Sequence, residues 1–236
     1  MLHLRRYNPM PVGWRYYPYA DRSAVKPLNS GLMFLKVINM ITKVVVLFDG
    51  GFYQARFRTL KGVHPKPDDV INEVDNVMQL VANKTNGDTK DILFRIYYYD
   101  CRPFGNTVKD HTRTKDIDFS ASASFRAKSK FLDDLCKKDR VALRLGELSF
   151  NGWIQDYYNN KLWKPDFKQK GVDMKVGLDM AWMATKRIVD KVVLVAGDAD
   201  FISPIKFVRK EGLQVYLYPM GQNVKESLIN HCDFVI

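Results

Sequence analysis

From Lys43 onward the chain alternates between short continuous apolar runs and longer stretches with helical spacing. Val44-Val45-Val46-Leu47-Phe48, Ile92 to Tyr99, Val192 to Ala196 and Val215 to Tyr218 are short, largely apolar runs, as expected of strands buried on both faces. Asp68–Asn83, Phe125–Lys138, Val172–Val189 and Ile202–Lys210 predict helices. Pro65 and Pro67 precede the first of them, Asp68 and Asp69 suit its positive end, and Gly212 follows the last at the preferred C′ position. Phe131, Leu132 and Leu135 form the apolar stripe of the basic 125–138 helix. Val141 to Phe150 alternates instead, as a half-exposed strand does. Asn151-Gly152 then signals a hairpin, with Trp153 to Trp163 as the returning strand or a flap and Lys164 to Gly171 as a basic loop. A short helix over Val224–Ile229 and a strand over Phe234–Ile236 follow. Strands alternating with helices predict an α/β, three-layer sandwich with a mainly parallel sheet, here with an inserted β-hairpin region.

Residues 1–40 break this pattern. Pro9, Pro11, Pro18 and Pro27 punctuate a stretch rich in Tyr and Arg, and no apolar core of a signal peptide follows Arg5-Arg6. The prolines also break the amphipathic helix that a mitochondrial presequence needs. We expect a leader outside the domain, which then spans 41–236, with Met33 as another plausible start. The leader holds six basic residues and one acid, so it carries +5 of the +11 net charge and leaves the body at +6. A moderately basic body favours a polyanion partner. At 236 residues and 46% hydrophobic, the chain can bury a full core. No run of about 18 apolar residues predicts a membrane span. Cys101, Cys136 and Cys232 are odd in number and scattered, and the four histidines share no ligand spacing with them. That argues against a disulfide framework and a structural zinc site, and for a reducing, cytoplasmic compartment.

The candidate chemistry is carboxylate. Asp198 and Asp200 follow the 192–196 strand in Gly197-Asp198-Ala199-Asp200, at the carboxyl end where open α/β sheets place ligands. One residue apart in an extended segment, they point the same way. Asp49 repeats the arrangement at the end of the 44–48 strand, before Gly50-Gly51. Asp173 heads the stripe Val176, Gly177, Met180 and Ala184, so we expect it to face inward; Asp179 lies nearer the polar flank, beside Lys175 and Lys186. Structural roles suit the same residues: Asp200 as a helix cap, Asp198 as a strand end, Asp49 as a turn residue and Asp173 as an N-cap. An oxygen-only donor set with no nearby histidine selects Mg²⁺ or Mn²⁺ rather than zinc. Lys164, Lys168, Lys170 and Lys175 could track a phosphate backbone, and Trp153, Tyr157, Tyr158 and Trp163 could stack bases, with solvated surface and hairpin packing as the structural alternatives. No Gly-x-Gly-x-x-Gly, phosphate-loop lysine or Gly-x-Ser-x-Gly elbow supports a nucleotide-binding or serine-hydrolase reading.

Asp49-Gly50-Gly51-Phe52, Lys170-Gly171-Val172-Asp173-Met174-Lys175 with Asp179, and Gly197-Asp198-Ala199-Asp200-Phe201 resemble the three motifs of the NYN domain. That family lies within the PIN-like nuclease superfamily, and the chain is similar to its bacterial branch over roughly Lys43–Ile236. The resemblance implies a Rossmann-like fold and a metal-dependent phosphodiesterase acting on RNA. It also implies Asp49, Asp173 and Asp198 as metal-coordinating acids, with Asp200 as a fourth. Many members have Asn after the first Asp, whereas Gly50 and Gly51 supply no side-chain amide. Residues 101–170 exceed the minimal domain and are expected to shape the substrate groove. The expectation is a Mg²⁺/Mn²⁺-dependent ribonuclease. The alternative is a catalytically silent RNA-binding or regulatory module that retains the acidic crevice, and a homo-oligomer is compatible with either.

Overall fold

Val44 to Phe48 are completely buried at the middle of β1 (Met40–Asp49), the strand around which the sheet is laid. The computed structural model describes residues 40–85, 89–156 and 162–236. The expected leader, apart from Met40, and the two candidate tyrosines Tyr157 and Tyr158 lie outside the described residues. Alternate residues of β1 feed opposite cores. Val45 and Leu47 pack with one cluster, and Val44, Val46 and Phe48 with the other. This is why the run reads as continuously apolar.

Glycine misleads the sequence reading immediately after β1. The strand passes without a loop into α1 (Gly50–Lys61), a helix the periodicity does not announce. Two glycines open it, and only Gly50, Tyr53 and Phe57 are buried, one narrow stripe. Next come α2 (Pro67–Lys84), which buries Val70, Val74, Val77 and Val81 at helical spacing, and β2 (Thr89–Cys101). A small antiparallel pair follows, β3 (Thr107–Lys109) with β4 (Asp116–Asp118), in a stretch with no predicted element. Then α3 (Ala123–Leu135) buries Leu132 and Leu135.

The predicted hairpin at Asn151-Gly152 is not a turn. Strand β5 (Val141–Gln155) runs through it, and the pairing only shifts register between Phe150 and Trp153. Gly152 has φ of 107°, so the pair makes a bulge, the other use of a glycine inside a strand. The predicted basic loop is instead the returning strand, β6 (Trp163–Lys170). Helix α4 (Val172–Thr185), β7 (Lys191–Val195), α5 (Ile202–Lys210), β8 (Gln214–Leu217), α6 (Glu226–Ile229) and β9 (Phe234–Val235) complete the order. Gly212, with φ of 93°, follows α5 as expected.

The seven-stranded sheet has the order β6-β5-β2-β1-β7-β8-β9. Every neighbouring pair is parallel except β5 with β6. One core lies under α4 and α5, the other under α1, α2 and α3. The fold is the predicted mainly parallel α/β sandwich.

Beneath the amino ends of β1, β2 and β7 sits a buried ion pair. Lys191 Nζ donates to Asp91 Oδ1 at 2.6 Å and to Thr89 Oγ1 at 2.9 Å, and the Thr42 hydroxyl donates to the same Asp91 oxygen. Both charged side chains are 3% exposed. Breaking such a pair strands one charge in the interior. We therefore expect Asp91→Ala to cost about 3–5 kcal/mol in denaturant unfolding. The volume-matched Asp91→Leu/Lys191→Met double variant should recover most of it.

Candidate active site

Strands β1, β2 and β7 end at one level, with Asp49 opposite Tyr99 and Phe48 opposite Val195. At these ends stand Asp49, the last residue of β1, and Asp100, next to last in β2, with Asp198 three residues past β7. Gly50 makes the arrangement possible: a Cβ there would lie 2.6 Å from the Tyr99 carbonyl oxygen and 2.7 Å from Asp100 Oδ2. Only glycine lets the chain turn into α1 across the end of β2. Gly197 plays a similar part, since a Cβ would come within 2.7 Å of the Phe52 ring.

Asp49 is extended, and its Oδ1 accepts the Phe52 N–H at 3.1 Å, capping α1. Its carboxyl is pushed up to about 6. Burial is the largest cause; the charges of Asp173 and Asp100 add to it, while the Phe52 and Gly51 N–H groups oppose it. Asp173 occupies the first turn of α4 but does not cap it, because Gly171 holds that position with φ of 75°. Nor does it face the core as its place in the stripe predicts. Val176, Met180 and Ala184 are buried, whereas Asp173, at the open first turn, is exposed. Its pKa is nevertheless raised, by partial desolvation and then by the charges of Asp198 and Asp200.

The capping role expected of Asp200 falls to Asp198. Asp198 accepts the Asp200 N–H at 3.1 Å and caps a 3-10 turn, Ala199–Phe201, while α5 starts two residues after Asp200 without a side-chain cap. The tight turn means the two acids do not share an extended segment. Asp200 is left exposed with no capping duty.

Asp173 thus links the acids of the crevice: it feels the charges of Asp198 and Asp200, and its own charge reaches Asp49. None of the ion pairs among the described residues involves any of the four. Two other acids support them. Asp100, 1% exposed, was not singled out from sequence because it ends a tyrosine-rich strand without a glycine signal. It pairs with Lys128 and accepts from Gln54 Nε2 at 3.0 Å. Asp179, expected nearer the polar flank in a surface or supporting role, accepts from the Tyr99 hydroxyl at 3.0 Å and from Arg144 Nε at 2.8 Å, tying α4 to β2 and β5.

Among the described residues no group of three or more His, Cys, Asp or Glu side chains is drawn together tightly enough to cage a metal. The donor chemistry still fits a hard cation. Uncompensated carboxylate oxygens at this looser spacing match Mg²⁺, which keeps several waters and takes one or two carboxylates. Near Asp49, Gln169 of β6 brings a carboxamide: its Oε1 and Nε2 would be 3.8 and 3.9 Å from a Cβ on Gly51. An amide thus reaches the first motif from another strand. Lys164, Lys168 and Lys170 alternate onto the face of β6 opposite Phe167 and Gln169, and Lys168, Lys170 and Lys175 are all exposed. Lys164 lies 3.5 Å from Asp156. Trp153 donates its indole N–H to the Lys109 carbonyl and packs on Phe150, whereas Trp163 stacks on His111.

Fold and crevice together describe a PIN-like three-layer α/β protein with an acidic site at the carboxyl ends of its central strands. The chain belongs to the NYN domain family, PIN-like nucleases that are generally ribonucleases; the family profile matches residues 88–236. That span contains Asp173, Asp198 and Asp200 and begins beyond Asp49, whose place in the site rests on the register of β1. A crystal structure of a Vibrio parahaemolyticus protein of unknown function matches with 16% identity and a TM-score of 0.45, covering 83% of this chain and 91% of that one. No curated protein matches the chain. No helix among the described residues is long and apolar enough to cross a membrane.

Two outcomes follow from this geometry. An acid held near 6 costs folding free energy when ionised, so that cost is full above pH 6, shrinks between 6 and its ordinary 3.8, and is absent below. Asp49→Asn retains a capping oxygen and should raise stability at pH 8 by about 1–3 kcal/mol, a gain that disappears near pH 4 in thermal unfolding. Gly50→Ala should cost about 1–3 kcal/mol from overpacking, whereas Gly51→Ala, which meets Asp49 Oδ1 only at 3.4 Å, should be tolerated.

Proposed function

We propose that the protein is a Mg²⁺- or Mn²⁺-dependent ribonuclease that hydrolyses phosphodiester bonds at the crevice over β1 and β7. The observation that carries this reading is the gathering of four acids that form no ion pair among the described residues, two of them with raised pKa values. A chain with +11 net charge has basic side chains to spare, yet none of the described ones pairs with these acids. Such repulsion persists where an external cation relieves it.

Asp49, Asp173 and Asp198 would hold the cation, one or two of them directly and the rest through its waters, and Asp200 would accept a hydrogen bond from such a water. When bound, the cation would lower the pKa of a water and stabilise charge on the phosphoryl oxygens. The chain's own contribution is position. The Phe52 N–H orients Asp49, the Asp200 N–H orients Asp198, and the Tyr99 and Arg144 bonds to Asp179 fix the helix that carries Asp173. Lys170 and Lys175 flank Asp173 along the chain and would draw in a phosphate, with Lys164 and Lys168 extending the basic strand away from it.

The test uses purified chain with RNA, in Mn²⁺ or in chelator. Asp198→Asn keeps an N-cap and should remain folded by circular dichroism while losing at least about a hundredfold in metal-dependent cleavage. Mn²⁺ should also raise the Tm of the wild type and not that of the variant. Undiminished cleavage by the variant would overturn the assignment. Salt-sensitive RNA binding without turnover by the wild type would favour the silent binding module.

A further inference from the structure

Next to the acids, an open cleft of about 270 Å³ is lined by Phe104, Phe119, Phe125 and Phe167. Phe104 packs on Phe119 and Phe167 at ring distances of 5.7 and 5.5 Å, so these three rings support one another. Phe125 is held separately, lying against Gly105, where a Cβ would be 2.6 Å from its ring. Yet none of the four is buried; each keeps part of its ring open. A cluster serving only as a small core would close over these faces. Ser124, Lys128 and Gln169 supply polar groups to the same cleft.

Asp100 joins cleft to site. It lines the cleft, and its Oδ2 would lie 2.7 Å from a Cβ on Gly50, the residue after Asp49; Gln169, which also lines the cleft, would lie 3.8 Å from a Cβ on Gly51, which itself would be 3.4 Å from Asp49 Oδ1. The volume exceeds the ~150 Å³ of an engineered cavity that takes benzene, so a planar heteroaromatic base fits. Stacking accepts any base, since every base has a π-face, and a carboxamide and a hydroxyl can bond to base edges. A second cleft of about 590 Å³, lined by Gln54, His64 and Lys66 among others, shares Ser124 and Lys128 with the first. The path therefore continues past α3.

We infer that the aromatic cleft seats one unpaired base of an RNA strand whose neighbouring phosphate lies at the acids. A duplex keeps its bases stacked inside and cannot offer one without unpairing it. The inference rests on the ribonuclease reading for the position of the phosphate.

The test is binding of a short single-stranded RNA to the full chain in EDTA, with 2-aminopurine placed at each position in turn. One position should lose fluorescence on binding. Phe125→Ala, which removes a stacking face, and Ser124→Trp, which fills the cleft from an exposed position, should bind roughly tenfold to a hundredfold more weakly while remaining folded. The same sequence as a duplex should compete no better than the weakened variants bind. Wild-type affinity in Ser124→Trp, or binding that quenches no position, overturns the inference. Cleavage with Mn²⁺ is read separately. A wild type that quenches the reporter but does not cut keeps the base cleft and removes the ribonuclease reading. Equal cleavage of strand and duplex, unchanged in Ser124→Trp, does the reverse.

Discussion

Gly50 approaches the end of β2 so closely that no Cβ fits between them, and the geometry of the crevice hangs on that contact. Because the chain turns there without a loop, Asp49 is at once the last residue of β1 and the cap of α1. A longer connection would satisfy the helix by other means and let the carboxylate drift. The parallel register then brings the end of β7 level with that of β1, so Asp198 arrives from a strand far away in sequence. Asp173 needs a different device, a left-handed Gly171 that starts α4 directly after β6.

The acids divide by how they are compensated. Asp91, Asp100 and Asp179 each have a Lys or Arg partner, and the first two are almost wholly buried. Asp49, Asp173, Asp198 and Asp200 have none among the described residues, and they are the more accessible set. The cation beside each acid of the first set offsets its desolvation, and these acids also brace elements next to the second set. Gln54 of α1, for example, reaches Asp100, and Arg144 of β5 reaches Asp179.

Much of this was legible in the sequence because the signals were local and strong. The runs at 44–48 and 192–196, and the acids that follow them, required only the rule that parallel strands are buried on both faces. What failed had competing meanings. Gly50-Gly51 reads as a break, but here glycine answers a close approach and the helix runs through it. Asn151-Gly152 reads as a turn, but its glycine serves a bulge in a strand that continues. Asp173 sits on the apolar stripe, yet a first-turn residue projects beyond the neighbouring layer. Asp100 carried no signal of its own; only the pairing of β1 with β2 reveals where it lies.

Reassigning Lys164–Lys170 from loop to strand also changes what its residues can do together. A loop could present lysines and aromatics to the same ligand, whereas a strand separates them by alternation. Lys164, Lys168 and Lys170 fall on one face of β6, and Phe167 and Gln169 on the other, where they line the cleft beside Asp100. Charge and stacking therefore do not compete for one patch. The lysine face ends next to Gly171 and the acid-bearing turn of α4, so its attraction is for the backbone, which is blind to sequence. The aromatic face opens toward β2 and α3. On the ribonuclease reading, a phosphate backbone would follow the lysine face and a base would meet the aromatic face, and an edge strand such as β6 leaves both faces reachable.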